Sequence, residues 1–188
     1  MNLNRKLILA SNSPRRKELL GKLDVAFEVK LKDVPEDFPD SLRREQVAEY
    51  LANRKAEAYL ADLQDEIILT ADTIVCLDDL VLNKPANNAE AHHMLQLLSG
   101  RMHTVFTGVC LLAKEKKVIF HDATQVYFKS LSEVEISYYV EHYRPYDKAG
   151  AYGAQEWMGM IAVERIEGSY FNVMGLPVYA VYQQLLMF

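Results

Sequence analysis

Leu7-Ile8-Leu9-Ala10-Ser11-Asn12-Ser13-Pro14-Arg15-Arg16 sets out strand, cap and helix start in direct succession. Leu7–Ala10 reads as a short buried strand, and Lys17–Leu23 continues as helix. Ser13 is a good N-cap, and Pro14 suits the first turn, where its missing N–H would have no partner. Arg15 and Arg16 then meet the positive end of the helix dipole, at a cost of roughly a few tenths of a kcal/mol each. An anion bound at the same place would repay that cost. Free N–H groups, a dipole and two guanidinium forks make a phosphate site. The competing reading is two solvated arginines on a surface helix.

Downstream the two periodicities keep mixing. A loop with two prolines and four acids, Lys32–Asp40, precedes a helix expected over Ser41–Leu63, with Val47, Tyr50, Leu51 and Ala58 on one stripe. Glu66–Leu77 reads as strand interrupted by Thr70-Ala71-Asp72-Thr73. A turn at Asp78-Asp79 and a strand Asp79–Asn83 follow, closed by Lys84-Pro85. Ala89–Leu98 is helical after Asn87-Asn88 and stops at Ser99-Gly100. His103–Ala113 and Val118–Lys129 are β-rich, joined by Lys114-Glu115-Lys116. Ser132-x-x-Glu135 is a capping box for a helix to about Tyr143, before Pro145. Asp147–Gly159 looks like loop, Met160–Ile166 and Tyr170–Met174 like a hairpin around Glu167-Gly168, and Pro177 starts a last helix. The expected fold is α/β, a mixed sheet with helices on its faces.

At 188 residues the chain suits one large domain or two small lobes sharing a core. A net charge of −5 argues against a nucleic-acid surface but leaves room for a small anion in a local cationic pocket. No apolar run approaches a membrane span, and Met1–Lys6 carries no signal-peptide cleavage pattern. Cys76 and Cys110 sit in apolar runs without a Cys-x-x-Cys spacing, as small core residues of a reducing cytosol.

Asp72 is the best candidate for a reacting carboxylate, because an acid between two buried strands is costly unless paired or used. A bend acid bonded to local N–H groups is the alternative. In the helix Ser41–Leu63, Arg54 falls inside the apolar stripe and Lys55 near its edge. A cation facing inward calls for a carboxylate or phosphate partner, unless it snorkels. The pattern does not decide between the two. Lys84, held before Pro85, suits phosphate contact. The stretch Lys148–Gln155 could bring backbone N–H groups and the Gln155 amide to a ligand, although it is neither a Walker A nor a dinucleotide fingerprint. The histidines assemble no zinc or Ser–His–Asp constellation. Mg²⁺ needs only one or two carboxylates plus substrate oxygens.

Taken in order, these blocks resemble the Maf family of nucleoside triphosphate pyrophosphatases. The resemblance rests on Leu7–Leu20, Ala71-Asp72-Thr73-Ile74-Val75, Asn83-Lys84-Pro85, Leu98-Ser99-Gly100, Asp147–Gln155, and Gly168-Ser169-Tyr170 to Gly175-Leu176-Pro177. It implies a single domain over residues 1–188, with a twisted mixed sheet in two lobes around a central cleft, similar to inosine-triphosphatase folds. It implies hydrolysis of a nucleoside triphosphate to monophosphate and pyrophosphate with a divalent cation, Mg²⁺ or Mn²⁺. Asp72 corresponds to the proton acceptor. Arg15 or Arg16, Lys55, Lys84 and Ser11 match the substrate side, and Glu36 joins Asp72 near the metal or water. Pro35 stands where the family usually has an acid. Arg15, Thr73 and Gln155 match the three specificity positions of members preferring dTTP and UTP, whereas members acting on 7-methyl-GTP carry a tryptophan at the first. The expectation is a cytoplasmic, house-cleaning enzyme for pyrimidine triphosphates, in a family of frequent homodimers, with no nucleic-acid or membrane partner. The rivals are a non-catalytic nucleotide-binding regulator of cell division and an inosine-type purine triphosphate pyrophosphatase.

Overall fold

The computed structural model describes residues 3–188; Met1 and Asn2, part of the N-terminal stretch read above, lie outside them. Seven strands, β1 (Leu7–Leu9), β2 (Phe27–Val29), β3 (Ile67–Leu77), β4 (Leu80–Leu82), β5 (Met102–Leu112), β6 (Lys117–Phe128) and β7 (Val163–Glu167), form one sheet. Its order is β2-β1-β3-β5-β6-β7, with β4 also on β3. β1 pairs in parallel with β2 and β3, and the rest of the sheet is antiparallel. The sheet is mixed, as the sequence predicts.

The helices are α1 (Pro14–Gly21), α2 (Glu45–Glu57), α3 (Asn88–Leu98), α4 (Glu133–Tyr143), α5 (Trp157–Ala162), α6 (Tyr170–Val173) and α7 (Val178–Leu185). Local chemistry explains several starts. Ser13 Oγ accepts from the Arg16 N–H with Pro14 in the first turn, and Ser132 with Glu135 closes a complete capping box. One sheet face is covered by α2, whose Val47, Ala48, Leu51, Ala52 and Ala56 meet Ile8, Ile68, Ile74, Cys76, Phe106 and Cys110. The other face carries two separate cores. α1 and α7 cover Leu7, Leu9, Leu69 and Leu111 at one end, while α3, α4 and α5 cover Val75, Leu77, Val105 and Val126 at the other. Two lobes thus share one sheet.

Three expectations need correction. α2 begins at Glu45, not Ser41, because 39–42 form a turn and Arg44 adopts φ +49° just before the helix. Asp147–Gly159 is not all loop: Ala149–Ala151 form a 3-10 turn and α5 starts at Trp157. There is no hairpin around Glu167-Gly168. β7 pairs with β6 instead, and Tyr170–Val173 is a helical turn capped by Ser169. The buried Asn172 amide ties that turn to Val105 O and Thr124 Oγ1, each at 3.0 Å, which an extended strand there would not allow.

Cys76 and Cys110 are buried and free, and burial pushes both thiols up to about 12. His103, only 1% exposed, shares its Nε2 with the Tyr152 hydroxyl at 2.8 Å. Burial holds this imidazole down at about 3, against 6.5 in the open chain. Between those values the unfolded chain binds a proton that the fold refuses, so stability from this group is full above pH 6.5 and declines toward pH 3. The slope is about 1.4 kcal/mol per pH unit. In thermal melts from pH 6.5 to 4.5, His103→Gln should flatten the decline; a variant with the wild-type slope would refute this origin.

Candidate active site

The site begins as a gap in the sheet. Along one edge β3 is paired with β5 from Ile68 to Cys76 without a break. Along the other, β1 pairs with 67–69 and β4 with 75–77. Residues 70–74 between them are left without a strand neighbour on that edge. The strand that the sequence predicts to be interrupted is therefore continuous, and the interruption lies in its partners. Crevices where neighbouring strands diverge are natural ligand sites in α/β sheets.

Pleating sends Asp72 to the α2 face and Thr73 to the opposite one. On the α2 side, Lys55 Nζ donates to Asp72 at 2.5 Å and to Glu36 at 2.8 Å. Lys84, just after β4, donates to the other Glu36 oxygen at 2.8 Å. Desolvation raises the Glu36 pKa, but the hydrogen bonds from Lys55 and Lys84 outweigh it and hold the carboxyl at about 2. Lys55, not Arg54, enters the site. Arg54 turns to Asp37, with Nη1 at 3.0 Å from its carboxylate.

On the other face, Arg16 is spent on the protein. Its guanidinium donates to Gly175 O (2.8 Å), Ala71 O (2.8 Å), Ser11 Oγ (3.3 Å) and Thr73 Oγ1 (2.9 Å). It fastens α1 and the 174–176 segment to the open edge of β3. Thr73 also shares a hydrogen bond with Thr107 at 3.0 Å, and Ser11 accepts from the Ser13 N–H. Arg15 instead reaches Asp147, at 3.1 Å. The carboxylate bridges onward to Lys148 at 2.6 Å, and Lys148 meets Glu156 at 3.0 Å. The roles of Asp147 as partner of Arg15 and of Lys148 as the second cation on that carboxylate are not legible from spacing: both lie inside the quoted Asp147–Gln155 block, but nothing local shows that Lys148 is buried.

Ser11, Arg15, Arg16, Glu36, Lys55, Asp72, Thr73, Lys84 and Gln155 all line one cleft of about 910 Å³. That volume lies in the range of ligand sites. The Gly-rich stretch contributes differently from expectation. The Gly150, Ala151 and Gly153 N–H groups donate to Asn83 O, Lys148 O and Tyr139 Oη, so they are not free for an anion. Gln155 is different: its carboxamide takes no hydrogen-bond partner among the described residues.

The donor set suits a hard divalent cation. Asp72 and Glu36 converge on Lys55, and carboxylate oxygens are the ligands Mg²⁺ prefers. Among the described residues no cluster of three or more His, Cys, Asp or Glu side chains has metal-binding geometry. A cation here would complete its shell with phosphate and water oxygens.

Known proteins with the same sequence pattern carry a consistent label. A protein from Parabacteroides distasonis named "dTTP/UTP pyrophosphatase" is 52% identical over 182 residues, covering 96% of this chain and 94% of the relative. One of the same name from Phocaeicola vulgatus is 53% identical over 182 residues, with the same coverage of both chains. Among solved structures, the Ham1 protein of Staphylococcus aureus aligns over 96% of this chain and 100% of its own. Its TM-score is 0.52 at 13% identity, a likeness of fold alone. The family model described as "Maf-like protein" matches residues 6–188. With that match covering nearly the whole sequence, the chain belongs to the Maf family.

Proposed function

We propose that the protein is a cytoplasmic pyrophosphatase that converts dTTP and UTP to the monophosphate and pyrophosphate, acting as one domain with Mg²⁺ or Mn²⁺. The observation that carries this reading is the convergence of Asp72, four cations and an unengaged Gln155 amide on one cleft. A triphosphate carries about four negative charges, which only a cation cluster with a metal can hold at neutral pH. Arg15, Lys55, Lys84 and Lys148 line that cleft, and a phosphate can replace the Asp147 carboxylate at Arg15 and Lys148. Arg16 acts below them as a fastener, keeping Thr73 and Ser11 in place.

In this mechanism Asp72 accepts the proton of a water that attacks the α-phosphorus. Lys55 orients the Asp72 carboxylate, and Glu36 sets Lys55 against Lys84 across the cleft. A divalent cation held by Asp72 and Glu36 would neutralise phosphate charge. Lys84 and Arg15 stabilise charge gathering on the departing pyrophosphate. The Gln155 carboxamide both donates and accepts, so it can read the O4 and N3–H edge of uracil or thymine.

Incubating the protein with Mg²⁺ and a panel of triphosphates, and measuring pyrophosphate, tests this. The expected order is dTTP and UTP ahead of CTP and the purines. No release from dTTP or UTP would sink the assignment, and preference for ITP would move it to the purine class. Gln155→Glu replaces the amide donor with an acceptor and should lower kcat/KM for UTP about 10- to 100-fold. An unchanged preference would remove the base-reading role.

A further inference from the structure

Glu156 N donates to Gly153 O at 3.1 Å, closing a tight turn that carries Gln155 within it. The same turn is tied a second time, through side chains. The Gly153 N–H donates to Tyr139 Oη at 3.1 Å, and that hydroxyl donates to Glu156 Oε2 at 2.5 Å. One phenol therefore grips both ends of the turn. Tyr139 is fully buried in the α4 lobe, and desolvation, reinforced by Glu156, raises its pKa, keeping the proton on the hydroxyl. The second Glu156 oxygen is held by Lys148 at 3.0 Å. At Gly153 an added Cβ would stand 2.8 Å from Glu156 Cδ, so carboxylate and turn are already in contact.

Neither Tyr139 nor Glu156 lines the cleft, whereas Gly153 and Gln155 do. With no hydrogen bond to its own side chain among the described residues, Gln155 is aimed by the backbone that carries it. Aim matters because an amide reading a base edge must hold donor and acceptor in register with it.

We propose that Tyr139 and Glu156 are positioning residues for base selection, locking the Gly153–Glu156 turn so that Gln155 distinguishes uracil or thymine from cytosine. This rests on the proposed pyrimidine triphosphate activity. Uracil offers an acceptor at O4 and a donor at N3, and cytosine reverses both, so a loosened amide loses discrimination before it loses phosphate chemistry. Arg15, Lys55, Lys84 and Asp72 are carried by other elements; Lys148, which Glu156 does touch, meets phosphates common to UTP and CTP, so its disturbance leaves the ratio between them unchanged.

The test compares kcat/KM for UTP and CTP in the full-length protein with Mg²⁺. Tyr139→Phe and Glu156→Ala should each lower the UTP-to-CTP ratio about tenfold, the effect of one lost hydrogen bond, with kcat for UTP within about threefold of wild type. Glu156→Gln still accepts from Tyr139 and should keep the ratio within about threefold. A wild-type ratio in folded Tyr139→Phe or Glu156→Ala, checked by circular dichroism, overturns the proposal. So does an equal loss of kcat on both nucleotides, which marks a merely structural role. The Glu156 variants, at a partly exposed site, carry the test if Tyr139→Phe does not fold. Wild-type protein inactive on UTP, or indifferent between UTP and CTP, would instead overturn the proposed function.

Discussion

Asp72→Asn is expected to lower pyrophosphate release from UTP by about 10²–10⁴-fold, the usual contribution of a general base. The protein should still fold. Asn is nearly the same size, and Lys55, with a side chain only 17% exposed, keeps its second carboxylate partner Glu36 at 2.8 Å. No buried charge is orphaned, so the large penalty for breaking a buried pair does not apply. A melting temperature near wild type with activity lost is the expected pair of results. Undiminished release would show that another group takes the proton.

Gly108→Ala is expected to lower both stability and turnover. Gly108 lies opposite Asp72 in the β3–β5 register, on the face covered by α2. A Cβ there would stand 2.3 Å from the carbonyl carbon and oxygen of Ala48 and 2.5 Å from the Glu49 nitrogen. These are backbone atoms, which no rotamer change can move aside. α2 must lift from the sheet, and overpacking of this kind costs about 1–3 kcal/mol or more. For a chain of this size that is a fall in Tm of about 2–12 °C. α2 also carries Lys55, so its lift lengthens the Lys55–Asp72 contact and lowers kcat below both melting transitions. Differential scanning calorimetry with the pyrophosphate assay reads both effects. A variant with unchanged Tm would mean that the helix does not need this approach.

Several elements were legible because their signals are local. Ser13-Pro14 and Ser132-x-x-Glu135 satisfy helix N–H groups within one turn, so neighbouring residues suffice to place those starts. The long strands β5 and β6 and the turn Lys114-Glu115-Lys116 followed from β-rich composition on either side of a polar stretch. The Tyr170–Val173 turn did not, because it is held by Asn172 bonds to β5 and β6 that no window of sequence contains. The same holds for the apparent break at Thr70–Thr73. Its polar residues face a real discontinuity, but one made by where β1 ends and β4 begins on the neighbouring edge.

By itself the sequence determined a mixture of interspersed strands and helices, the capped start of α1, the buried cysteines, and the ordered blocks that mark the Maf family. Only the tertiary structure decided which of two adjacent cations meets the cleft: Lys55 over Arg54, and Arg15 at its wall while Arg16 fastens its floor. Caps and periodicities arise from atoms a few residues apart, so the chain records them directly. The fate of a charged side chain depends on the surface it meets, and for Arg15 and Arg16 that surface includes segments more than a hundred residues away.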